Sequence, residues 1–308
     1  MDVYDRIHAR QPVHEVVRFI SDNNIEFDED EFLQQLDIVV HRNQYYAKQL
    51  LKQMIQHFES RGSDFVETMY EPYINLLPVG APDPQDSDII QYRFDRYKVV
   101  IEETPSLICA QGTTGFRTWE AALFLCHYMT QHPGLFVTHD SLMLELGCGT
   151  GIISILYKMI KDSQGDCKAG TIIVTDGDSN LLQQVSTNFQ LNGSLSNDGD
   201  VNIGFQRLRW NEDELSNYNE IDLILAADVT YDTSVIPDLV KCLSQFKGAH
   251  GYISCTERNL DTLDAFENEL TRNCIYFEIV SRISPISFKQ ISERDISTSI
   301  RIYKISIN

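Results

Sequence analysis

The chain has little of what marks a secreted, metal-bound or membrane protein. Its seven cysteines stand apart at positions 109, 126, 148, 167, 242, 255 and 274, and no two form a CxxC pair. A disulfide framework or a zinc site needs closer grouping, so reduced thiols and no metal are expected. No run of about 18 apolar residues occurs, so no membrane-spanning helix is expected. The opening MDVYDRIHARQPVHE lacks an apolar signal core, which favours a cytoplasmic protein over a secreted one. Basic residues are scarce too: 25 Lys and Arg stand against 45 Asp and Glu, a net charge of -20. Such a surface repels phosphate backbones and favours basic partners. Direct nucleic-acid binding is therefore not expected, though a local basic groove can exist on an acidic protein. A monomer is expected.

What is present is ordinary globular texture, 43% hydrophobic and 23% charged over 308 residues. That length suits one large domain or two smaller ones. Residues 1 to about 75 read as helical. Val13, Val16, Val17 and Ile20 share one helix face, and Ala47, Leu51, Met54, Ile55 and Phe58 repeat the pattern in a second helix that Arg61-Gly62 ends. Pro72, Pro78, Pro82 and Pro84, with APDPQDSD at 81–88, mark a helix-breaking connector. A helical region over 1–80 and a second domain over 90–308 follow from that boundary.

Beyond it, Tyr92 to Val100 and Leu107 to Gln111 read as short strands, and Thr118 to Tyr128 as a helix. Strands and helices then alternate. The expected strands are Leu142–Leu146, Thr171–Thr175, Val201–Leu208, Ile221–Ala226 and Tyr252–Cys255. The helices between and after them run over Gly151–Lys161, Ser179–Leu191, Ser234–Phe246 and Leu260–Asn273. Alternation of this kind means βαβ units and a mainly parallel sheet in an α/β fold. Two final strands, Tyr276–Ile283 and Ser299–Ile307, suggest an antiparallel hairpin at the sheet edge.

The first of these strands runs into ELGCGTG, Glu145 to Gly151. Gly147, Gly149 and Gly151 let backbone approach a ligand at the carboxyl end of a strand. A dinucleotide loop is G-x-G-x-x-G, with a helix N-terminus facing pyrophosphate. Here that spacing fails, because Ile152 stands where the third glycine belongs and Gly151 comes one residue early. S-adenosylmethionine has no phosphate and carries an ammonium and a sulfonium, so an acid such as Glu145 suits it. Asp176, at the end of the second strand, can accept hydrogen bonds from both ribose hydroxyls, and Asp178 is a second candidate. The polar stretch SQGDCKAG at 163–170 accounts for the long gap between loop and acid.

The run Ile221–Ala226 ends in Ala227, Asp228, Val229, Thr230 and Tyr231. In a doubly wound sheet this place lies beside the glycine loop. Asp228 and Tyr231 are candidates to meet an incoming nucleophile, with Asp228 holding a lysine ammonium and Tyr231 excluding water. Asp228 as a cap of the next helix is the plainer alternative. Some adenine and glutamine methyltransferases carry an Asn/Asp-Pro-Pro-Tyr/Phe sequence here. Val229 and Thr230 replace both prolines, which disfavours a flat amide or base. The only tryptophans are Trp119, opening a helix, and Trp210, after the third strand, where an indole can stack on adenine.

Together these residues resemble the seven-β-strand protein-lysine methyltransferases called methyltransferase family 16. GTTGFRTWEAALFL at 112–125, CTERN at 255–259 and the helical N-terminal region resemble its elongation factor 2 lysine methyltransferase subgroup. The likeness spans about residues 65–305. It implies a Rossmann-like class I methyltransferase with a seven-stranded, mostly parallel sheet and an antiparallel edge hairpin. It implies S-adenosyl-L-methionine as cofactor and trimethylation of one lysine of translation elongation factor 2. By the same resemblance Trp119, Glu145, Gly147, Cys148, Gly149, Gly151, Asp176, Trp210 and Ala227 would hold the cofactor. Asp228 and Tyr231 would face the lysine, and residues 254–259 would shape its channel. The alternative is a methyltransferase acting on another protein, RNA or a small molecule.

Overall fold

A computed structural model of the chain describes residues 2–107, 114–137, 141–164, 170–194, 201–213, 220–292 and 294–308. The expected strand at 107–111 lies almost wholly outside them, as do parts of the 163–170 and 192–200 stretches and both Cys109 and Cys167. By internal contacts the chain divides into two units, 1–93 with 100–106, and 94–99 with 107–308.

The first unit holds five helices: α1 (Val3–His8), α2 (Val13–Asn23), α3 (Glu29–Arg42), α4 (Gln44–Ser60) and α5 (Val66–Leu76). The two anticipated stripes are α2 and α4. In α4, Ala47, Leu51, Met54, Ile55 and Phe58 are all buried. Arg61 follows its last turn, and Gly62 adopts φ +65. Periodicity also supports α3, where Phe32, Leu36 and Val39 form a buried stripe in an otherwise acidic segment. The α3–α4 junction is sharp because Asn43 ends one helix and caps the other, accepting from the Tyr46 amide at 2.8 Å. Pro72 lies inside α5 rather than in the connector. The helix tolerates the lost donor because Met69 and Leu76 are anchored in the core of this unit.

The expected strand Tyr92–Val100 is instead a hairpin, β1 (Asp88–Phe94) and β2 (Tyr97–Glu103). Asp95 takes φ 53 at its turn, a conformation that aspartate tolerates. Continuous polar–apolar alternation hid the turn: burial alternates along both strands.

The second unit follows the expected alternation. Its elements are α6 (Glu120–Gln131), β3 (Leu142–Leu146), α7 (Ile152–Ser163), β4 (Gly170–Asp176), α8 (Ser179–Leu191), β5 (Val201–Arg207), β6 (Leu223–Ala227), α9 (Ile236–Leu243), β7 (His250–Thr256), α10 (Leu260–Arg272), β8 (Ile275–Ile283), α11 (Pro285–Ser292) and β9 (Ile300–Ile307). The seven strands lie in the order β5-β4-β3-β6-β7-β9-β8. All pairings are parallel except those of β9. This is a Rossmann-like, mostly parallel seven-stranded sheet with an antiparallel edge, as expected. The last two strands pair with each other, as anticipated, but α11 joins them and β9 inserts beside β7.

Strand parity sets the two faces. Leu144, Leu146, Ile224, Ala226 and Ile253 join one core with Leu239, Leu243 and Phe266 of α9 and α10. Glu145, on the opposite face, meets Ser154 of α7. Chain order turns back at β3, which has β4 on one side and β6 on the other. The carboxyl ends of β3, β4 and β6 therefore open one crevice, the usual ligand position of such sheets. Among the described residues no helix is long and apolar enough to cross a membrane.

Candidate active site

A cavity of about 600 Å³ opens at this switch point. Gly147 and Gly149 follow β3 into it, Asp176 ends β4, and Ala227, Asp228 and Tyr231 continue from β6. Trp119 and Trp210 line it as well. The fold thus brings together eight of the eleven sequence-derived candidates. Glu145, Cys148 and Gly151 are not among its lining residues.

Each of those three does something else. The Cys148 amide donates to the Thr175 carbonyl at 2.9 Å, tying the loop to β4. Gly151, at φ +79, ends the loop before α7, and a Cβ there would stand 2.5 Å from a Val185 methyl. Its bareness serves helix packing. Gly147 differs: a Cβ on it would come within 2.9 Å of Val229 and 3.8 Å of the Trp210 ring, closing the cavity floor.

Glu145 is 1% exposed, and both the amide and the hydroxyl of Ser154 donate to its Oε2. Burial pushes its carboxyl up to about 8, against those two donors. Unfolded, the group ionises near 4.5. Between these values the native state holds a proton that the unfolded chain has lost, so stability falls as pH rises through the window. Relative to Glu145→Gln, the wild-type melting temperature should drop by up to about 2–4 °C per pH unit between about pH 5 and about pH 8. Parallel melting curves for the two proteins across that range would refute a buried proton on Glu145.

Asp176 accepts from the Gly149 amide at 3.2 Å and, through its other oxygen, from the Asp178 amide at 3.0 Å. Burial raises its carboxyl above the usual range and these backbone donors oppose the rise. Asp178 caps α8 by accepting from Asn180 at 2.8 Å, so Asp176 is the better placed of the two acids for a ligand. Trp210 rests against the core of the α9–α10 face while its ring borders Gly147.

Asp228 sits at φ 52, strained backbone just past a strand end. Its amide donates to the Ser254 carbonyl at 2.9 Å. Its carboxylate accepts from the Thr256 amide (3.0 Å), the Thr256 hydroxyl (3.1 Å) and Arg258 Nη2 (3.0 Å). It caps no helix. Ser234, at the approach to α9, is served by Asp232 instead. Burial raises the Asp228 carboxyl, and Arg258 then Thr256 pull it back. Tyr231 is 60% exposed at the rim.

Thr256 and Arg258 were expected only as part of a channel-shaping stretch, 254–259, and not as partners of Asp228. CTERN marked the segment, but nothing in the sequence pairs it with Asp228. Parallel pairing of β6 with β7, which sets Ala227 beside Ser254, is what joins them. Trp119 is held by its indole N–H, which donates to the Thr114 carbonyl at 2.9 Å, and by two guanidiniums, Arg117 and Arg258, with Cζ 4.5 and 4.8 Å from its ring centroid.

A family model described as lysine methyltransferase matches residues 106–272, a stretch that carries every candidate residue above. Protein-lysine N-methyltransferase EFM3 of Saccharomyces cerevisiae is 34% identical over 338 residues, covering 98% of each chain. Its namesake from Chaetomium thermophilum is 31% identical over 246 residues, 72% of this chain and 70% of that one. The human protein-lysine N-methyltransferase EEF2KMT is 28% identical over 255 residues, 77% of this chain and 73% of that one. With this match and the crevice geometry together, the chain belongs to the lysine methyltransferase family and is a protein-lysine N-methyltransferase.

Proposed function

We propose that the protein uses S-adenosyl-L-methionine to trimethylate one lysine of translation elongation factor 2 in the cytoplasm. One observation carries the chemistry: a single cavity holds Asp176 at one strand end and Asp228 with Tyr231 at another. Similarity to the human EEF2KMT supports the substrate.

The cavity suits the cofactor. Asp176 offers carboxylate lone pairs beside a floor kept open by Gly147, which fits a ribose diol. The Trp210 indole suits the adenine, and Trp119 and Ala227 suit the remaining wall. When bound, the cofactor supplies a methyl group activated by a sulfonium. The protein's own part is alignment and dryness. Asp228 accepts an N–H of the target lysine and fixes its nitrogen. Tyr231 covers the mouth. A free lysine amine ionises near about 10.4, so its proton must leave before attack, and it leaves to solvent.

Mass spectrometry of elongation factor 2 from cells lacking this protein tests the substrate. The expected result is loss of trimethyllysine at one site and its return when the protein is restored. An unchanged modification pattern would overturn the proposal, as would calorimetry showing NADH binding and none of S-adenosylmethionine.

A further inference from the structure

Asp228 does not meet the cavity as a bare carboxylate. Arg258 holds its Oδ2 at 3.0 Å, yet Arg258 is not among the residues that line the cavity. The guanidinium also lies over the Trp119 ring, with Cζ 4.8 Å from the centroid. The Asp228 side chain is 8% exposed and that of Arg258 43%. A buried anion is thus matched by a cation that keeps contact with water.

This arrangement bears on the difficulty of lysine methylation. The amine attacks through its lone pair, forming the N–C bond as the C–S bond breaks and its electron pair stays on sulfur. A protonated lysine has no lone pair to give. A lone buried carboxylate would bind the ammonium form too well and hold the proton on it. A carboxylate already neutralised by arginine still accepts one N–H, but favours the ammonium far less.

We propose that Arg258 neutralises Asp228 from outside the cavity, so that the target lysine is held as the free amine. This rests on the reading of Asp228 as the lysine-facing residue. The charged and titratable groups about Asp228 are consistent with it. Glu120 of α6 adds negative charge and is itself paired with Arg117 at 2.8 Å. Cys255 of β7 is buried, its thiol pushed up to about 12 and so neutral. Tyr231 lies on the solvent side. Arg258 is the group whose charge draws the Asp228 carboxyl down most against burial.

The test is binding of n-butylamine, the lysine side chain cut free, to the protein with S-adenosylhomocysteine. Trp119 reports it through its indole N–H resonance, one of two in the chain. Arg258→Gln should bind the butylammonium form at neutral pH about tenfold more tightly than wild type. The same variant should methylate elongation factor 2 more slowly at neutral pH and recover at alkaline pH, its kcat profile displaced upward by about one pH unit. Arg258→Lys, which keeps the cation, should stay near wild type in both. A residue that merely supports the fold would lower binding and turnover together at every pH, and that outcome overturns the proposal. So does unchanged amine affinity in Arg258→Gln. Asp228→Asn separates the two levels: amine binding lost there but unmoved by Arg258→Gln sinks the role of Arg258 alone. Amine binding unmoved by Asp228→Asn sinks the lysine-facing reading itself, and the role of Arg258 with it.

Discussion

Asp228→Asn is expected to lower kcat on the order of 100-fold while leaving affinity for S-adenosylhomocysteine within about threefold of wild type. Asparagine is the informative replacement, for two reasons. It tolerates the φ of 52 that Asp228 adopts, where alanine would add strain of about 1–2 kcal/mol. It can also keep the acceptor for the Thr256 amide, so the β6–β7 contact survives. What it removes is the negative charge at the position of Oδ2, together with the ion pair to Arg258. On the proposed role of Asp228, the lysine nitrogen then loses its fixed partner, and a displacement of about 1 Å from the line of attack is enough for a loss of this size. Turnover measured with tritiated cofactor, beside calorimetry with S-adenosylhomocysteine, gives both quantities. If kcat stays within fivefold of wild type, Asp228 does not position the nucleophile.

Most of the second unit was legible in the sequence because its central strands β3, β4, β6 and β7 are buried apolar runs. Leu142–Leu146 and Ser179–Leu191 match the observed elements at both ends. Strand ends gave the site for the same reason: Asp176 and Ala227 are the last residues of β4 and β6, and ligands gather at carboxyl ends. Glu145 shows where this kind of reading stops. It lies next to the glycine loop in sequence, but side chains alternate along a strand, and its parity turns it onto α7. Proximity in sequence chose it, and period two removed it. Arg258 shows the opposite failure. Its partner lies 30 residues earlier, and only the neighbouring of β6 and β7 in the sheet brings them together. In the first unit α3 was readable from Phe32, Leu36 and Val39, whereas α11 buries only Phe288 and offers no stripe to read.

Asp176→Ala should produce the reverse kinetic signature. Both of its oxygens already accept backbone amides, from Gly149 and Asp178, so the carboxylate is fixed in place before any ligand arrives. Its remaining lone pairs are what a ribose diol can use. A hydrogen bond to a charged acceptor contributes about 1.5–3 kcal/mol, and two of them are at stake. The expected rise in the Kd of S-adenosylmethionine is on the order of 100- to 10,000-fold, measured by calorimetry. Asp176→Asn, which keeps one acceptor oxygen, should lose only about tenfold. Because burial raises the Asp176 carboxyl, wild-type cofactor affinity should weaken as the medium is acidified toward its ionisation, and that acid limb should vanish in Asp176→Asn. Since Asp176 ends β4 and Asp228 follows β6, on opposite sides of β3, kcat at saturating cofactor should stay within about fivefold of wild type. A defect in KM for the cofactor at one strand end and in kcat at the other is what two carboxylates with separate tasks in one cavity require. Equal loss of both constants in Asp176→Ala would mean that the glycine loop, deprived of its anchor at Gly149, had collapsed onto the site instead.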